Sequence, residues 1–104
     1  MSTETTIGEK LRELRESKEL PLRKVSALLD IDIAILSKME RGERKLTKDI
    51  VLKLAEIYGH NADELLVLFL SDKIMCEIQD EDLGEKALKV AEQRVKYLKA
   101  SKKK

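Results

Sequence analysis

Aromatic side chains are almost absent from this chain. Tyr58, Phe69 and Tyr97 are the whole set, and there is no tryptophan. Proline occurs once and glycine four times, too few for the many tight turns of an all-β fold. There is one cysteine, Cys76, so no internal disulfide and no thiolate zinc cluster can form. It lies in an apolar stretch, where a small core residue is the expected role. There is one histidine, His60, expected to be exposed between two helices. A zinc, haem or histidine-dependent nucleophilic site would need unusual ligands. No apolar run approaches the ~20 residues that span a bilayer. Residues 1–6 have neither a basic region nor an apolar stretch, so no signal peptide is expected. These absences point to a soluble, cytoplasmic protein with no metal, cofactor, membrane or evident small-molecule ligand.

Charge is abundant. Charged residues make up 39% of the chain and hydrophobic ones 42%, a mixture that suits helices with strongly polar outer faces. The 104 residues suffice for one domain with a short appended element, burying roughly 65% of the unfolded surface. The net charge of +1 conceals an uneven distribution. Residues 85–104 carry eight basic and two acidic side chains, whereas residues 71–84 carry one lysine and five acids. The chain is no general polyanion binder, and any nucleic-acid contact must come from local placement of charge.

Helical periodicity runs throughout, with no strand-period segment and no internal repeat. Thr6 and Glu9 form a capping box for a first helix. Ile7, Leu11 and Leu14 mark its inner face, and Leu20 closes the segment. Pro21 suits the first position of a second helix, with Val25, Leu28 and Leu29 inward. After a turn at residues 30–32, Asp32 caps a third helix that carries Leu36 and Met39 on one face. Arg41 and Gly42 end it. Thr47 caps a fourth helix, stopped by Gly59. Asn61 and Glu64 start a long fifth helix, which reaches Ile78 through Leu66, Leu70 and Ile74. Asp82 and Glu85 are placed to cap a sixth. In it Leu88, Ala91, Val95 and Leu98 form an a/d seam about two heptads long. The expected divisions are residues 6–70, an extension over 71–100, and a frayed lysine-rich tail at 101–104.

The second and third helices, joined by a tight turn, give a helix-turn-helix pattern. Several blocks then stand in linked register. Ile7-Gly8-Glu9-Lys10-Leu11-Arg12-Glu13-Leu14-Arg15 opens the chain. Val25-Ser26-Ala27-Leu28-Leu29-Asp30-Ile31-Asp32 leads into Leu36-Ser37-Lys38-Met39-Glu40-Arg41-Gly42. Ile50-Val51-Leu52-Lys53-Leu54-Ala55 and Ala62-Asp63-Glu64-Leu65-Leu66 follow. Over residues 6–70 this closely resembles the Cro/phage-repressor-like (XRE-type) helix-turn-helix regulators of bacteria and phages. The resemblance implies an all-α fold, a five-helix repressor-like bundle with a C-terminal helical extension. It also implies that the third helix enters the major groove of double-stranded DNA. Its base-facing positions map onto Asp32, Ile33, Ala34, Ser37 and Lys38. Backbone contacts map onto Leu22, Arg23, Arg41, Arg44 and Lys45. Residues 38–48 hold five basic side chains and two acids, the densest positive stretch in this region.

The chain departs from the family pattern at two places. Leu22 stands where a polar residue, often Gln, is usual. Ile33 and Ile35 make the third helix unusually apolar, although Ile33 suits a thymine methyl. The expected function is a sequence-specific transcriptional regulator binding a two-fold operator as a homodimer. Within that class the chain reads as a small autoregulating controller of a restriction-modification or phage-type locus. The seam at Leu88, Ala91, Val95 and Leu98 suits dimer packing, or alternatively the bundle's own core. The rival function is a protein-binding adaptor or antitoxin-like module, which would use the apolar third helix and the acidic 71–84 segment. No phosphate-cradling glycine loop, metal-ligand set or nucleophile–base pair is present, and an enzyme is not expected.

Overall fold

The computed structural model describes residues 5–102, which form six α-helices and no strand. These are α1 (Ile7–Ser17), α2 (Leu22–Leu29), α3 (Ile33–Glu40), α4 (Lys48–Tyr58), α5 (Ala62–Ile78) and α6 (Gly84–Lys102). No helix among the described residues is long and apolar enough to cross a membrane. The chain divides into two compact units between Asp72 and Lys73.

In the first unit α3 packs on α1 and α2, and α4 packs on the same pair. Their shared core contains Leu11, Val25, Leu36, Val51, Leu54 and Tyr58, joined by Leu65 and Phe69 from α5. The starts of the helices follow from local chemistry. Thr6, Asp32, Thr47 and Asn61 each accept a hydrogen bond from a backbone N–H in the following turn, which satisfies a donor that the helix itself cannot. At α1 the Ile7 N–H also donates to Asp72, at 2.9 Å. Asp72 is therefore spent on structure.

Four helices end the same way. The chain turns left-handed at Glu19, Asp30, Gly42 and Gly59. The next N–H reaches back five residues, as from Ile31 to the Ser26 carbonyl at 3.0 Å and from Glu43 to that of Lys38 at 2.8 Å. This closure covers carbonyls that would otherwise lack partners.

Several expectations are corrected. Pro21 sits at the cap of α2, in extended backbone, and not inside the first turn. Leu28 is 60% exposed and does not face the core. Cys76 is exposed, on the stretch of α5 that belongs to the second unit. His60 is half-buried, 3.8 Å from the Glu64 carboxylate. In the second unit α6 starts at Gly84, leaving Asp82 outside it. A Cβ at Gly84 would lie 2.5 Å from the Ile78 carbonyl oxygen, so the α5–α6 turn requires glycine there. Ser101 and Lys102 continue α6; Lys103 and Lys104, like residues 1–4, lie outside the described residues.

Candidate nucleic-acid interface

Helix α3 has two distinct sides. Leu36, Met39 and Glu40 are buried, Ile35 is half-buried, and Ile33, Ala34, Lys38 and Arg41 are exposed, with Ser37 between the two classes. On a helix of 3.6 residues per turn, positions 33, 37 and 41 and positions 34 and 38 form one continuous outer stripe. From its N-terminal end the stripe reads apolar, apolar, hydroxyl, cation, cation.

The buried side is held in place by an ion pair. The Arg15 guanidinium of α1 grips both oxygens of Glu40, at 2.8 and 3.1 Å. Its third contact is the Leu20 carbonyl, at 2.9 Å. Only 11% and 5% of the two side chains is exposed. The hydrogen bond to Glu40 raises the Arg15 pKa above its already high ordinary value. Tyr58 lies within electrostatic reach of the pair, and burial pushes its phenol well above 10. Its hydroxyl has no hydrogen-bond partner among the described residues. Gly8 permits the helices to approach this closely. A Cβ there would sit 2.6 Å from the Glu40 carbonyl oxygen and 2.8 Å from that of Met39. Arg15, Glu40 and Gly8 thus fix α3 on α1, and sequence reading missed all three as positioning residues. A charge pair 25 positions apart leaves no local spacing to detect. The glycine stands in a helix, where its usual signal is only a weakened element.

The sequence-predicted site residues divide into three groups. Asp32 is occupied as the cap of α3, accepting from the Ala34 N–H at 2.8 Å. Ser37 and Arg41 are linked to each other. Arg41 donates to the Ser37 hydroxyl at 3.0 Å and pairs with Glu43 at 2.8 Å. Arg23, Lys38, Arg44 and Lys45 are exposed and have no ion pair among the described residues. Lys24 and Lys48 belong with them on the same grounds, though sequence reading did not single them out. At the start of α2, Pro21 provides no side-chain cap, so the first backbone N–H groups beside Arg23 are open to an anion. Leu22 is half-buried against the core and leaves those N–H groups uncovered.

The residues expected at a dimer seam lie in the second unit. Leu88 is half-buried, and Ala91, Val95 and Leu98 are exposed. Val90 and Tyr97 are exposed on the same helix. No group of three or more metal-binding side chains occurs among the described residues.

A short helix, a left-handed turn and a second helix locked along one side and open along the other define a helix-turn-helix protein. The chain belongs to the helix-turn-helix domain family, which matches residues 6–68. It is also similar to the HTH-type transcriptional regulator DdrOP3 of Deinococcus deserti, with 34% identity over 58 residues. That stretch is 56% of this chain and 45% of the relative, so the chain spans less than half of the curated relative it matches. No solved structure matches it to a significant degree.

Proposed function

We propose that this protein is a sequence-specific DNA-binding transcriptional regulator that acts as a dimer on a two-fold operator. The observation that carries this reading is the exposed stripe of α3, set among cations with no protein partner. A recognition helix needs a free face for base edges and flanking donors for phosphates. Ile33, Ala34, Ser37 and Lys38 supply the first. Arg23, Arg44, Lys45 and, once freed from Glu43, Arg41 supply the second. Asp32 contributes by capping the helix. The name of the similar regulator supports the same class. Within that class we read it as a small autoregulating controller of a restriction-modification or phage-type locus. The dimer would use α6, through Leu88, Ala91, Val95 and Leu98.

One observation favours the rival reading of a protein-binding adaptor or antitoxin-like module. Leu28 is exposed close in sequence to Ile33, which widens the apolar surface around the turn. Fluorescence anisotropy separates the two. The protein is titrated into DNA from upstream of its own gene and into a scrambled duplex, across a salt series. A regulator of its own locus binds the native duplex more tightly and loses affinity steeply with salt. Weak, equal and salt-insensitive binding to both would favour the adaptor.

A further inference from the structure

Asp32, Ser37 and Arg41 all have internal partners, which changes what the stripe can read. One carboxylate oxygen of Asp32 is tied to the α3 backbone at 2.8 Å. The Ser37 hydroxyl already accepts from Arg41, and Arg41 is held by Glu43. What stays open at the N-terminal end is apolar: Ile33, 46% exposed, and Ala34. Recognition helices of this kind reach base edges from that end. In the major groove the apolar feature that distinguishes one base is the thymine 5-methyl group.

We infer that the first turn of α3 selects duplex DNA by its thymine methyl groups, with Ile33 as the residue that sets the preference. The inference rests on the DNA-binding reading above and specifies what that site reads. Lys38 stands five residues further along, about 7.5 Å of helix rise from Ile33, which corresponds to about two base pairs at roughly 3.4 Å each. Unpaired and exposed, it is the free cationic donor of the stripe and suits the two acceptors of guanine. The preferred half-site therefore combines thymine with a guanine about two pairs away. The surrounding cations Arg23, Lys24, Arg44, Lys45 and Lys48 make DNA the occupant of this apolar patch. An apolar protein partner would leave those charges without counterparts.

The test begins with selection of preferred duplexes by the full chain from a random-sequence library. Each thymine of the enriched site is then replaced by deoxyuridine, which removes only the methyl. At one or two positions per half-site we expect an affinity loss of about fourfold, the worth of one buried methyl. Ile33→Ala, a change at an exposed site that leaves the core intact, should bind thymine and uracil duplexes equally. Enrichment of a sequence indifferent to uracil overturns this inference and leaves DNA binding standing. So does an Ile33→Ala variant that keeps the full thymine preference. A library with no enriched sequence overturns the sequence-specific function itself, and this inference with it.

Discussion

Arg15 and Arg41 show how one residue type serves two purposes here. Arg15 is buried and paired at both guanidinium edges, so its removal leaves the Glu40 carboxylate desolvated and alone. Arg15→Met should cost about 3–5 kcal/mol of stability in urea denaturation, and the double replacement with Glu40→Met should recover most of it. A double-variant loss equal to the sum of the two single losses would show that the pair is not coupled. Arg41 is half-exposed and held by Glu43, an ion pair of the kind worth only about 0–1 kcal/mol. A DNA phosphate can displace such a partner. Glu43→Gln should therefore tighten binding to every duplex, by up to about fivefold, without altering sequence preference. Unchanged affinity in an anisotropy titration would remove Glu43 as a competitor for Arg41.

At the scale of elements, α3 is set by its neighbour more than by itself. Eight residues make too short a helix to persist alone, and its hold on α1 depends on Gly8. Gly8→Ala puts a methyl against two backbone carbonyls, which neither can yield cheaply. We expect a loss of about 1–3 kcal/mol, with weaker DNA binding even where the variant remains folded. A variant with unaltered melting and affinity would show that the contact relaxes without cost. Much of the element order was legible beforehand. Thr6, Asp32, Thr47 and Asn61 are caps whose chemistry is local, and Gly42 and Gly59 mark stops that glycine takes most easily. The left-handed Glu19 was not legible, because a charged side chain carries no such signal. Leu28 and Cys76 were misplaced for a related reason. Helical period assigns a face, but it cannot say whether another element arrives to cover that face. Ile33, Ala34, Ser37 and Lys38, which the sequence reading assigned to base contact, lie along one outer stripe of α3. Its internal ties, from Asp32 to the backbone and from Arg41 to Ser37 and Glu43, arise only once the helix and the loop after it are folded.

At the scale of the whole molecule, the two units differ in how they use apolar residues. The first closes a core around Leu11, Leu36, Leu54 and Tyr58. In the second, Val90, Val95, Tyr97 and Leu98 of α6 all stay more than half exposed within one chain. A second copy supplies the cover, on our reading. The double change Val95→Asp and Leu98→Asp should shift the protein from dimer to monomer in light scattering, with operator affinity falling alongside. A double variant that stays dimeric would place the interface elsewhere.

The central claim is that α3 and its flanking cations meet DNA, and amide chemical-shift mapping tests it most directly. A ¹⁵N-labelled sample is titrated with the selected duplex. We expect the largest shifts at residues 22–24, 32–38 and 41–48, with the buried Arg15–Glu40 contact little moved. Shifts confined to α5 and α6, or no shifts at all, would contradict the claim.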